Sequence, residues 1–188
     1  MSKLKEKIKT IPKAYFTLMD IKKVTSMDVN SLRVSMNRLV KNGEIERILR
    51  SVYSFDSSLV DWEKMACEIY RPAYVSFESA LAIHNVLSQK PMHITLATSN
   101  RSRKINFGNK IAAYHHLKED LFWGYDRSGG FLLADPEKAF LDLAYLASRG
   151  YAKMDIEEMN LDFLNKKKLK RYLRKFSGLK MDSLVSFH

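Results

Sequence analysis

Asn30, Ser31, Arg33, Asn37, Arg38 and Lys41 carry the chemistry of base recognition. At 3.6 residues per turn most of these positions gather on one side of a helix around Val34, with Arg33 at the edge. An Arg donates two hydrogen bonds to guanine O6 and N7, and an Asn pairs with adenine N6 and N7, so a helix showing both to solvent discriminates bases. Lys41 suits a phosphate. Two more guanidinium groups, Arg47 and Arg50, follow closely in the chain.

The pattern between residues 17 and 55 predicts the elements that hold these side chains. Leu32, Met36, Leu39 and Val40 recur at spacings of three and four, a stripe that faces a core and turns the polar set outward. Thr17 with Asp20 reads as a capping box for a preceding helix, its acid standing where Glu or Gln is usual, and Asp28 or Asn30 caps the second helix. Gly43 supplies a left-handed stop. Glu44 to Ile48 alternates polar with apolar, Leu49-Arg50-Ser51 turns, and Val52 to Phe55 returns with the opposite alternation. Helix, turn, helix and hairpin in that order read as a winged helix-turn-helix over residues 1–57, with Arg47 and Arg50 on the wing. The same module also serves as a structural or protein-binding unit.

Charge favours a polyanionic partner. Residues 1–56 hold 12 Lys and Arg against 6 Asp and Glu, within a whole-chain net charge of +11. Such a field draws in nucleic acid and speeds encounter, without conferring sequence preference. At 188 residues the chain can bury roughly 70% of its unfolded surface, enough for a core without disulfides or metals. Cys67 is the one cysteine, which suits a reducing cytoplasm, and the expected localisation is cytoplasmic. No apolar run reaches membrane-spanning length and no signal region is visible.

Residues 58–188 read as a small mixed α/β domain, making the whole an α+β protein. Ser58 with Asp61 caps a helix carrying Trp62, Met65, Ala66 and Ile69. Tyr74 to Ser76 is a short strand, Phe77 to Leu87 a helix, His93 to Thr98 a strand, and Asn100 to Lys104 a basic loop. Ile111 to His115 and Phe131 to Leu133 are further strands, the latter after a Gly129-Gly130 turn. Asp135 caps, Pro136 opens and Glu137 supports the clearest helix in the chain. A last helix runs from Asn165 to Gly178, with Lys166, Lys167, Lys168, Lys170, Arg171, Arg174 and Lys175 crowding its polar side. That face is either a solvated surface or a contact for nucleic acid or an acidic partner.

Catalytic patterns are weak. His84, His93, His115, His116 and His188 lack metal-ligand spacing beside Cys or carboxylates. Ser76, Ser79, His84 and Asp142 compose a triad only on paper, and Gly124, Gly129 and Gly130 lack the context of a phosphate loop. The expectation is a protein that is not an enzyme and carries no cofactor or metal.

Four stretches together resemble the AbiEi-type antitoxins: Gly43 to Arg47 with Tyr53, Tyr74 to Leu81, Ile94 to Thr98, and Ala134 to Leu143. They keep their order from about Thr17 to Phe176. Two positions depart from the family pattern, Ser51 and Asn85, where glycine is usual. The resemblance implies a bifunctional protein of a type IV abortive-infection toxin–antitoxin pair used in phage defence. Its N-terminal domain would bind inverted repeats in its own promoter and repress. Its C-terminal domain would neutralise a nucleotidyltransferase-like toxin without a stable complex. Independently of the resemblance, the residues also suit a plain winged-helix transcription regulator whose second domain senses a ligand or mediates assembly. No heptad is present, so the expected solution state is a monomer that pairs on DNA.

Overall fold

A computed structural model describes residues 3–176. They form a mixed α+β protein with seven α-helices and two sheets, and fall into two compact units, 3–62 with 106–109 and the remaining described residues.

The first unit runs α1 (Lys3–Lys9), β1 (Tyr15–Thr17), α2 (Leu18–Val24), α3 (Val29–Lys41), β2 (Glu46–Leu49) and β3 (Val52–Ser54). Thr17 starts α2 through a full capping box: its hydroxyl accepts from the Asp20 N–H at 3.1 Å, and the Asp20 carboxylate accepts from the Thr17 N–H at 2.9 Å. Burial pushes the Asp20 carboxyl up, yet the Thr17 bonds with Lys13 and Lys23 outweigh it and hold the group below its ordinary value. Asp28, and not Asn30, caps α3, accepting from the Asn30 N–H at 2.9 Å and the Ser31 N–H at 3.1 Å. Gly43, at φ +68°, ends α3. Its N–H bonds the Val40 carbonyl and that of Glu44 reaches Leu39, which closes a Schellman turn. The sheet order is β1-β3-β2, all antiparallel, with a register shift between Arg47 and Leu49. Ile8, Phe16, Leu18, Ile21, Leu32, Met36, Leu39, Ile45 and Tyr53 form the core. Of the stripe expected of α3, Leu32, Met36 and Leu39 are buried, each burial stabilising by about 1.5–3 kcal/mol, and Val40 is half-buried against the same core. Truncating Leu32 to Ala would cost about 2–5 kcal/mol.

The second unit contains α4 (Trp62–Ile69), β4 (Ala73–Val75), α5 (Phe77–Ile83), β5 (Ile94–Thr98), β6 (Arg103–Phe107), β7 (Lys110–His116), β8 (Tyr125–Ser128), β9 (Phe131–Ala134), α6 (Pro136–Ser148) and α7 (Lys166–Leu173), apart from the residues given above to the first. The six-stranded sheet has the order β6-β7-β5-β4-β9-β8, with β4 parallel to β9, β5 parallel to β7, and β4–β5 and β8–β9 antiparallel. Central β4 and β5 are buried throughout, as strands covered on both faces must be.

Several local expectations need correction. Ser58 and Asp61 do not open α4 as a box. Instead Asp56 accepts from the Ser58 N–H at 2.9 Å and starts a short 3-10 turn over Ser57–Leu59. The helix expected to reach Leu87 stops at Ile83, because Asn85 adopts φ +58° and reverses the chain. Arg103 and Lys104 are strand, not loop, since β7 supplies their ladder. The last helix, expected to run from Asn165 to Gly178, stops at Leu173 with Arg174 at its C-cap, so Arg174 and Lys175 lie in the turn beyond it; Gly178 and His188 lie outside the described residues.

The start of α5 shows tertiary structure replacing a local cap. Ser76 stands at the N-cap, but its hydroxyl donates to Asp142 Oδ2 at 2.8 Å and caps nothing. Thr95 of β5 substitutes: its Oγ1 accepts from the Ser79 N–H at 3.0 Å and donates to the Ser76 carbonyl at 2.9 Å. This bracing holds buried Phe77 at φ +53°, a conformation rare for a bulky side chain.

Candidate nucleic-acid interface

Burying Leu32, Met36 and Leu39 fixes the rotation of α3, and that rotation decides what reaches solvent. Asn30, Ser31, Arg33, Asn37, Arg38 and Lys41 are all exposed. Val34 lies among them at 53% exposure, an apolar group of the kind that meets a thymine methyl. Asp28 anchors the N-terminal end. Its carboxylate also accepts from the Ser31 hydroxyl at 2.5 Å, and this bond first, then that from the Ser31 N–H, holds it below its ordinary value. The Arg33 guanidinium donates to Asn30 Oδ1 at 3.5 Å, a long and weak contact.

The hairpin β2–β3 brings in the other two cations. Arg50 is exposed in the turn, where Ser51 takes φ +66°. Arg47 is exposed on β2, with its guanidinium carbon 5.7 Å from the centre of the Tyr53 ring, and it donates to Asn37 Oδ1. Sequence spacing gave no sign of this last bond, because it joins two elements ten residues apart. One acceptor lone pair of Asn37 is therefore taken by the hairpin, while its amide N–H groups stay exposed. In this arrangement Asn37 is foremost a donor, suited to guanine N7 or O6 or thymine O4. Bidentate pairing with adenine needs the remaining lone pair or release from Arg47.

The second cationic set lies on α7 and the turn that follows it. Asn165 caps this helix, accepting from the Lys168 N–H at 2.9 Å. Leu169 and Phe176 are buried, and Lys166, Lys167, Lys170, Arg171, Arg174 and Lys175 are exposed. Lys168 differs from the rest. It is half-buried and pairs with Asp135 at 3.0 Å and Glu137 at 3.1 Å, so it belongs to the fold more than to the surface. The carboxylates expected at the α6 start bond to α7 and its cap: Asp135 makes no side-chain cap but accepts from the Tyr172 hydroxyl at 2.7 Å, and Glu137 accepts from the Asn165 N–H at 2.8 Å.

The paper triad is not assembled. His84 Nε2 lies 2.8 Å from the Ala134 carbonyl and donates to it, Ser79 bonds the β5 backbone, and Ser76 bonds Asp142. Asp142 is instead the centre of a fully buried cluster with Lys138, the Tyr74 hydroxyl at 3.0 Å and Ser76. Burial raises the Asp142 carboxyl and lowers the Lys138 ammonium, and their mutual attraction opposes both shifts. Nothing in the sequence reading singled out Lys138. The available signal was its i,i+4 spacing to Asp142 inside an otherwise apolar helix. Among the described residues no group of three or more His, Cys, Asp or Glu is placed to hold a metal, and no helix is long and apolar enough to cross a membrane.

In comparisons with known proteins, no family model matches the chain and no curated protein matches it.

Proposed function

We propose that the chain is an autoregulating antitoxin. In this reading residues 1–57 are a winged helix-turn-helix that binds promoter repeats and represses, and residues 58–188 neutralise a nucleotidyltransferase-like toxin. The DNA-binding half is carried by one observation: the polar face of α3 is solvent-exposed from Asn30 to Lys41, with Arg47 bonded to Asn37 from a hairpin whose turn exposes Arg50. The element order, two helices followed by a hairpin whose sheet is completed by β1, supports the winged reading. α3 would lie in a major groove, and the hairpin cations would meet flanking phosphate or minor groove.

The antitoxin half rests on the resemblance in the sequence. A backbone detail supports it. At Ser51 and Asn85, where that family carries glycine, the chain adopts φ +66° and +58°, the conformation glycine takes without cost. The test is footprinting of the upstream region together with co-expression of the neighbouring gene product. Protection of an inverted repeat and restored growth are expected. An unprotected promoter overturns operator binding, and absence of a neighbouring toxin or of rescue overturns the antitoxin half.

A plain regulator with a ligand-sensing second domain is favoured by one feature, a cavity of about 260 Å³ lined by Cys67, Arg71, Phe122, Tyr125, Arg127 and Phe131, among others. Operator binding without rescue would select this reading.

A further inference from the structure

We propose that the second unit carries a single-stranded nucleic-acid site on α7, separate from the α3 face. Lys167, Lys170, Arg171 and Arg174 occupy positions i, i+3, i+4 and i+7, so they form one exposed stripe. At 1.5 Å per residue the stripe spans about 10 Å, the reach of two neighbouring phosphates on an extended strand. The four side chains, with Asn165 and Lys168, line an open concavity of about 560 Å³. Lys168 pairs with both Asp135 and Glu137 and offsets part of their charge, so those carboxylates compete less for the stripe. The two guanidinium groups add planar, bidentate phosphate recognition to the point charges of lysine.

A second concavity of about 470 Å³ adjoins the first and shares Arg171. Its wall differs in chemistry: Trp123, Tyr125 and Tyr172 are half-exposed, with Lys175 4.4 Å above the Trp123 ring. Trp123 and Tyr172 meet edge to face at 4.7 Å, which fixes both rings against α7. A cationic track beside aromatic rings is what single strands need, since their phosphates follow the charge and their unpaired bases stack, a base reaching the Trp123 face as Lys175 swings from it onto a phosphate. A duplex hides its base faces and gains only from the stripe. Asp126 and Asp135 also line this concavity; they disfavour phosphate there, and exposed Asp126 is placed to accept from a base N–H. An acidic protein partner is less well served, because every exposed group of the stripe is a cation and the adjoining rings offer stacking surface that a carboxylate does not use.

The experiment uses the full chain in an Arg33→Ala, Arg38→Ala, Arg47→Ala background, which removes most of the α3-side charge. Failure here thus leaves the operator reading untouched. Labelled 20-nucleotide poly(U) RNA, oligo(dT) and a random-sequence duplex are titrated by fluorescence anisotropy at several salt concentrations. Expected is binding of one or both single strands more tightly than duplex, with log Kobs falling against log salt at a slope of about −1.4, from two phosphates at about −0.7 each. Lys167→Gln, Lys170→Gln, Arg171→Gln and Arg174→Gln together should weaken this at least tenfold and flatten the slope. The charge-keeping set of Lys167→Arg, Lys170→Arg, Arg171→Lys and Arg174→Lys should retain it, and circular dichroism reports folding in both. The RNA and DNA arms show which backbone is preferred. Equal affinity for duplex, no loss in the Gln variant, or binding only to phosphatidylserine vesicles or to poly-Glu would overturn the proposal.

Discussion

The sharpest test of the α3 face is to separate base reading from phosphate contact by two neighbouring substitutions, Arg38→Ala and Lys41→Ala. The residues lie three apart, one above the other, about 4.5 Å along the helix axis. Both are exposed and the stripe of Leu32, Met36 and Leu39 does not depend on them. Alanine favours helix, so each variant should keep its stability within about 0.5 kcal/mol. Any change in binding then reports the interface. If Arg38 pairs with a guanine, its loss costs about 1–3 kcal/mol on the operator, or about 5- to 160-fold in Kd, and relaxes preference at one base pair. Lys41 stands in the last turn, suited to the backbone. Its loss should weaken operator and random duplex by the same factor and lower the salt slope by about 0.9. Anisotropy against the operator, single-base variants of it and random DNA, each across a salt series, measures all four quantities. Arg38→Ala weakening every duplex alike, or Lys41→Ala selectively impairing one base position, would refute the assignment of roles along the helix.

Three further outcomes follow from the same geometry. Lys138→Met should destabilise the chain by about 3–5 kcal/mol in urea unfolding, because it leaves the Asp142 carboxylate buried without its cation, whereas Lys138→Met with Asp142→Leu should recover part of that loss; a double variant no better than the single would contradict it. Ser51→Gly and Asn85→Gly should each raise stability by a few tenths to about 1 kcal/mol, read as a higher Tm, since both residues hold positive φ; a lower Tm would show that their side chains matter more than the backbone. Asp20 and Asp28 have carboxyls below the ordinary 3.8, so their stabilisation is whole above that pH and fades as pH falls through their lower folded values; Asp20→Asn with Asp28→Asn should flatten the acid limb of a stability–pH curve, and an unchanged limb would remove the caps from that account.

What the sequence disclosed was whatever a few adjacent residues decide. The Thr17–Asp20 box, the Asp28 cap, the α3 stripe and the Gly43 stop each rest on residues no more than about five apart, and all four appear in the structure. Elements that depend on distant partners stayed hidden. β1 is three residues long and exists because Tyr15, Phe16 and Thr17 pair with Ser54, Tyr53 and Val52. β6 and β8 are edge strands, and their exposed charges resemble a loop. α1 was obscured by its lysines, although Leu4 and Ile8 stand one turn apart and Ile8 reaches the core.

The same division runs through the candidate surfaces. Exposure of Asn37 and Arg38 follows from periodicity, since burying one stripe of a helix obliges the opposite stripe to face out. The partner of Asn37 does not follow from it. Arg47 arrives from the hairpin and occupies an acceptor that sequence reasoning left available to adenine, which changes the hydrogen bonds the helix offers first. On α7 and the turn after it the seven cations look equivalent in the sequence, yet two carboxylates at the start of α6 claim Lys168 and leave the Lys167, Lys170, Arg171, Arg174 stripe facing outward. In both places local pattern decides which residues reach water, and a contact from a distant element decides which hydrogen-bonding groups remain for a ligand. Substitution of Arg47 should therefore alter what Asn37 reads even where Arg47 itself touches only phosphate, a coupling that a double-mutant cycle of Arg47→Ala and Asn37→Ala on operator variants would measure as non-additivity. Strictly additive losses at every base position would mean that the two side chains meet the DNA independently.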